Sequence, residues 1–122
     1  MRRLLIMRHA KSDWGGHGLA DHDRPLNRRG RLAAALMGAF LREDGLRPDL
    51  ALVSSALRTR ETWELMGLDA PTETLAVLYH AAPDAIFAAA RRAPDDARTV
   101  LILGHQPGLQ AAANALIGDR SI

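Results

Sequence analysis

Leu4-Leu5-Ile6-Met7 is an unbroken apolar run, and the chain contains three more: Leu50-Ala51-Leu52-Val53, Leu75-Ala76-Val77-Leu78 and Val100-Leu101-Ile102-Leu103. A strand with one wet face alternates apolar and polar residues, whereas a continuous run of this length fits a strand covered on both faces. Segments with helical spacing lie between the runs. Asn27 is placed to cap a helix over 28–43, with Leu32, Leu36 and Phe40 recurring every fourth residue as its inward face and Gly45 ending it. Ser54 or Ser55 is placed to cap a second helix over 56–67. Pro83 suits the first turn of a third, which Pro94 stops near residue 92. Pro107 opens a fourth, with Leu109, Ala112, Ala113 and Leu116 on one side and Gly118 at its end. The order β-α-β-α-β-α-β-α predicts an α/β fold with a mostly parallel central sheet flanked by helices on both faces.

The 122 residues fit a single domain, 1–122. With 48% hydrophobic and 25% charged residues, the chain reads as globular rather than disordered. The net charge of +2 is too slight and too scattered for nucleic acid to be the partner. There is no cysteine, so disulfides and thiolate sites are excluded. No segment approaches the roughly 20 apolar residues of a membrane span. The first apolar run is too short for a signal peptide. The expected location is therefore the cytoplasm, with no membrane partner.

Ligands of α/β folds bind outside the carboxyl ends of strands, and two of the apolar runs end in a histidine. The first leads into Arg8-His9-Ala10 and the last into Gly104-His105. A neutral imidazole is a nucleophile toward phosphorus, and a guanidinium offsets charge on phosphoryl oxygens with paired hydrogen bonds. Each group has a plain alternative: a surface Arg-His pair, and a helix-capping histidine. Arg58 falls in the first turn of the second helix, where a cation opposes the helix dipole unless an anion is bound there. Its alternative is a solvated arginine paired with Glu61 or Asp49. Arg60 reads as solvated, within reach of Glu64. His22 lies between Asp21 and Asp23, but neither it nor His17 or His80 shows the tight ligand spacing of a metal motif. The loop from Ser12 to Asp23 is long enough to border a pocket, with Trp14 either packing at its mouth or anchoring the loop.

Taken together, these segments resemble the histidine phosphatase (phosphoglycerate mutase-like) superfamily, most of all its small SixA-type phosphohistidine phosphatases. Arg8-His9-Ala10 stands where that family has Arg-His-Gly. Arg24-Pro25-Leu26-Asn27 with Gly30 resembles its entry to the first helix. Val53-Ser54-Ser55-Ala56-Leu57-Arg58 with Thr62 matches the segment of its second arginine, and Leu103-Gly104-His105 with Pro107 that of its second histidine. The resemblance implies that His9 is phosphorylated as the nucleophile and that Arg8, Arg58 and His105 form the phosphate pocket. It implies a reaction without cofactor or metal. The expected partner is a phosphorylated protein or a small phosphorylated substrate. The family's domain runs some tens of residues further, so the expected fold is one truncated at the C-terminus.

Larger family members place an acidic proton donor after the third strand. Here that stretch reads Leu78-Tyr79-His80, with no carboxylate until Asp84. A poor alkoxide leaving group needs a delivered proton. An imidazole protonated on its other nitrogen leaves as a neutral ring. A pocket without a carboxylic acid therefore points to a phosphohistidine substrate, unless His80 or Asp84 serves as the acid. The alternatives are a small-molecule phosphomonoesterase or mutase, and a phosphate-recognition module without turnover.

Overall fold

The computed structural model describes residues 2–13 and 18–117, so Trp14, His17 and the expected helix end at Gly118 lie outside the described residues. The strands are β1 (Arg3–Arg8), β2 (Leu50–Ser54), β3 (Thr72–Leu75) and β4 (Thr99–Gly104). The helices are α1 (Arg28–Glu43), α2 (Leu57–Met66), α3 (Pro83–Arg91) and α4 (Gly108–Ile117). The four strands pair in parallel in the order β1-β4-β2-β3.

The continuous apolar runs follow from two covered faces. Leu50, Leu52, Val100 and Ile102 point into a core shared with Ile86 and Ala89 of α3 and Leu109 and Ala112 of α4. Ala51, Val53, Leu101 and Leu103 point the other way, toward Ala34 and Leu41 of α1 and Met66 of α2. β4 has neighbours on both sides, and all its residues except Thr99 are buried. β1 was expected to be buried but is an edge strand whose Leu4–Met7 are only partly covered.

Four further expectations are corrected. The inward face of α1 is not Leu32, Leu36 and Phe40, which are 62%, 71% and 51% exposed. Gly30, Ala34, Gly38 and Leu41 turn inward instead. The helix lies too close to α2 for bulk, since a Cβ on Gly38 would stand 1.9 Å from the Met66 carbonyl oxygen. Similarly, Leu116 of α4 is exposed. The third strand is Thr72–Leu75, and Ala76–Leu78 wind into a 3-10 turn that buries Leu78 and exposes Val77. As an edge strand, β3 has no second neighbour to demand an apolar run. Finally, neither serine caps α2. Its N-cap is Ala56, with no side-chain bond.

The topology fixes where a site can form. β1 leads to α1 and β2 to α2 on one face, while β4, between them, leads to α4 on the other. Chains that leave adjacent strand ends toward opposite faces open a crevice, and such switch points hold ligands in α/β sheets.

Candidate active site

His9 leaves β1 and His105 leaves β4 at that crevice, and their ring centroids are 5.2 Å apart. The His9 backbone N–H still donates to the Gly104 carbonyl at 3.1 Å, which extends the ladder by one residue and fixes the distance between the two exits. Thr62 of α2 ties down the turn that follows: its hydroxyl accepts the Ala10 N–H at 3.1 Å and donates to the Arg58 carbonyl at 2.7 Å.

The His9 ring is held by its neighbour. Nδ1 lies 2.6 Å from the Ala10 carbonyl oxygen, an acceptor only, so the proton belongs on Nδ1 and Nε2 keeps its lone pair. Nε of Arg58 approaches that lone pair at 3.4 Å. Burial lowers the His9 pKa below 6.5, and the charges of Arg58, Arg8 and Arg24 lower it further, against an opposing effect from the Ala10 bond. His9 is thus a neutral imidazole at neutral pH. Arg8 is exposed and borders, with His9, Ala10, Lys11 and Ser12, a cavity of about 230 Å³.

His105 is buried, with 5% of its surface exposed. Its Nε2 is 2.8 Å from Ser54 Oγ. That oxygen also accepts the Ala56 N–H at 3.4 Å; with the serine's own proton given to Nε2, the ring carries its hydrogen on Nδ1. Nδ1 is buried without a partner among the described residues. A buried donor left unsatisfied is costly, so this N–H is poised for an acceptor that enters the site. Burial, then the charges of Arg58, His9 and His80, push the His105 pKa down to about 3, so it donates as a neutral ring.

Arg58 is 3% exposed. It pairs with neither Glu61 nor Asp49. Glu61 accepts the Leu26 N–H and faces Arg31, and Asp49 accepts the N–H groups of Arg98 and Thr99. The partner of Arg58 is Asp21, which the sequence reading left outside the site. Asp21 sits in a 3-10 turn, Asp21–Asp23, that packs against α2. Its carboxylate accepts from Arg58 Nη2 and Arg24 Nε, each at 3.0 Å, and from the Tyr79 hydroxyl. His80 Nε2 stands 3.4 Å from the same Oδ2. The Tyr79 bond above all, together with the two arginines, holds the Asp21 carboxyl far below the usual carboxylate range, against the opposing effect of burial. So the site does contain a carboxylate, but one that stays ionised and cannot donate a proton. Burial and Asp21 together raise the Tyr79 phenol pKa.

His22 bonds Ser55 Oγ through Nε2 at 2.8 Å and packs edge-on against Tyr79. Arg60 bonds the Ser55 carbonyl rather than Glu64. Among the described residues no group of three His, Asp or Glu side chains is arranged to hold a metal, and no helix is long and apolar enough to cross a membrane. Asp21, Ser54 and Tyr79 left no periodic signal in the sequence. All three lay inside segments already singled out, Ser54 as a candidate cap, Tyr79 beside His80 and Asp21 in the Ser12–Asp23 loop, but nothing in those segments signalled the roles they take here.

Residues 4–79 match the model of the histidine phosphatase superfamily (branch 1). The Mycobacterium tuberculosis protein Rv1276c, which is uncharacterised, is 43% identical over 110 residues, 90% of this chain and 69% of the relative. A protein assigned as the phosphohistidine phosphatase SixA of Nakamurella multipartitia superposes with a TM-score of 0.86 at 38% identity, over 91% of this chain and 63% of that one. The protein histidine phosphatase SixA in complex with tungstate superposes with a TM-score of 0.80 at 25% identity, over 90% of this chain and 73% of that one. The chain thus spans about two thirds of the length of these relatives. It belongs to the histidine phosphatase superfamily, branch 1, and within it to the SixA-type proteins.

Proposed function

We propose that the chain is a phosphatase that carries the phosphoryl group on Nε2 of His9 and acts on phosphohistidine in proteins. The observation that carries this reading is the His9 tautomer. With Nδ1–H spent on the Ala10 carbonyl, Nε2 keeps its lone pair, in a crevice that also holds the buried Arg58 guanidinium and the partnerless Nδ1 of His105.

In the first step Nε2 attacks phosphorus as the bond to the leaving group breaks. The transition state is loose, so catalysis is mostly positioning and charge stabilisation. Arg8 and Arg58 supply fixed positive charge, and His105 Nδ1–H hydrogen-bonds a phosphoryl oxygen. In the second step water attacks phosphorus and the electron pair returns to Nε2. Because Nδ1 still holds its proton, His9 leaves as a neutral ring and needs no acid. No cofactor enters either step.

Phosphohistidine is favoured over an alkyl ester because Asp21, the carboxylate that reaches the pocket, is ionised and tied to two arginines. A phosphorylated protein is the partner this reading names. The tungstate complex of a SixA relative supports the phosphoryl pocket, since tungstate is a tetrahedral oxyanion. The test is a substrate panel. The parent chain should hydrolyse a phosphohistidine peptide well ahead of glycerol phosphate and phosphoserine peptide, and His9→Ala should lose the activity. A preference for the alkyl esters would overturn the substrate assignment.

A further inference from the structure

α1 carries four of the seven large apolar side chains exposed among the described residues: Leu32, Leu36, Met37 and Phe40. Apolar residues gathered on one exposed face mark an interface more often than a bare surface. At about 100° per residue, Arg29, Leu32, Leu36, Phe40 and Glu43 fall within an arc of about 80° centred on Leu36. The buried Gly30, Ala34, Gly38 and Leu41 take the opposite side, so packing on the sheet and α2 leaves this arc to solvent. The arc is a stripe with a leucine at its middle, a large apolar residue four positions to either side, and opposite charges at its two ends. Both charges oppose the helix's own dipole: Arg29 stands in the first turn, and Glu43 is the last residue of α1. Neither has an ion-pair partner among the described residues.

We propose that this stripe is a dimer interface, in which α1 packs antiparallel on α1 of a second copy of the chain. A two-fold axis through Leu36 sets Leu36 against the partner's Leu36 and Leu32 against the partner's Phe40. At each end it sets Arg29 against the partner's Glu43. A parallel pair would set arginine on arginine and glutamate on glutamate, so the charges select the antiparallel arrangement. Each helix end then also lies beside the opposite dipole pole of its partner. Alternating steps of three and four residues along the stripe suit helices that pack at a shallow angle. A contact that is the same on both copies closes at two. α1 is about 24 Å long at 1.5 Å per residue, so one helix pair lies at or below the low end of specific interfaces. The chain is therefore a monomer in dilute solution and pairs as its concentration rises. The active-site turn stays clear, because Lys11 packs on Gly30, on the opposite side of the helix.

The experiment is sedimentation equilibrium of the chain over a concentration series that reaches the millimolar range. The parent should pass reversibly from monomer to dimer, with no larger species. Leu36→Glu sets two carboxylates on the axis and removes two leucines from the contact, and should weaken the dimer about a hundredfold or more. Arg29→Glu and Glu43→Arg each bring like charges together at both ends, and each should weaken it about tenfold. The chain with both swaps should regain the parent's affinity. All three positions are exposed, so the variants should fold, with unchanged far-ultraviolet circular dichroism as the check. Cross-linking reads the orientation, because the chain has no cysteine of its own. Leu36→Cys should form an intermolecular disulfide. Leu32→Cys should do so with Phe40→Cys but not with itself, since the two Leu32 positions would lie about 12 Å apart, beyond the roughly 7 Å that a disulfide spans. A parent that stays monomeric overturns the proposal and leaves the stripe to an unlike protein. Association that runs past the dimer, that survives Leu36→Glu undiminished, or that the double swap does not restore overturns it as well.

Discussion

Arg58 and Asp21 hold each other through two contacts: Nη1 donates to the Asp21 carbonyl at 2.7 Å and Nη2 to its Oδ2 at 3.0 Å. With Nε turned to His9, every nitrogen of the guanidinium is committed, and the plane that faces the nucleophile is set by a residue 37 positions earlier in the chain. Asp21 therefore positions Arg58. Asp21→Asn keeps the shape and removes the charge. It should lower kcat/KM on a phosphohistidine peptide by roughly tenfold or more, as expected for a lost charge-assisted hydrogen bond. The carboxylate is 40% exposed, so the stability cost should be small, about 1 kcal/mol. Steady-state kinetics and urea denaturation give the two values.

The two histidines make stability depend on pH in one direction. Both have pKa values lowered from 6.5, that of His105 to about 3. Between those limits the unfolded chain binds more protons than the folded one, so stability falls as pH falls. The melting temperature should decline as pH drops from about 6.5 toward 3, and His105→Asn should flatten that slope. Equal slopes in the two proteins would count against a buried neutral His105. For the same reason, the acid limb of kcat/KM on an aryl phosphate should lie below pH 6.5.

Ser54 fixes the His105 tautomer rather than capping α2. Ser54→Ala removes the partner of Nε2 and frees the ring to carry its proton on either nitrogen. Turnover should fall about tenfold with the fold intact, in line with the loss of one buried hydrogen bond. Turnover at the parent's rate would show that the serine does not orient the ring.

The small face of α1 predicts a contrast between neighbouring positions. Gly38→Ala drives a methyl group into the Met66 backbone and should destabilise by about 1–3 kcal/mol. Leu36→Ser, two residues away on the exposed side, should stay within about 0.5 kcal/mol of the parent. Denaturant midpoints of the two variants measure both.

What the sequence made legible follows the same physics. β4 could be bounded from its apolar run because burial on both faces removes the alternation that blurs strand ends. α1 could be bounded because Asn27 caps it through Gly30 N–H and Gly45 follows its end with φ 69°. Its inward face was missed because periodicity of large residues tracks hydrophobicity, whereas here the closeness of two helices selects for glycine and alanine. His9, Arg58 and His105 could be proposed because each lies just past a strand. Asp21 and Tyr79 could not, because a loop carboxylate and a residue after a 3-10 turn meet across 58 positions only through tertiary structure.

The central claim is that phosphorus bonds to Nε2 of His9 during turnover. Rapid mixing with phosphohistidine peptide, an alkaline quench and peptide mapping by mass spectrometry test it directly. The account predicts a phosphoryl group on the His9 peptide that survives base, is lost in acid, and is absent from His9→Ala. Turnover with no adduct, or with one on any other residue, would contradict it.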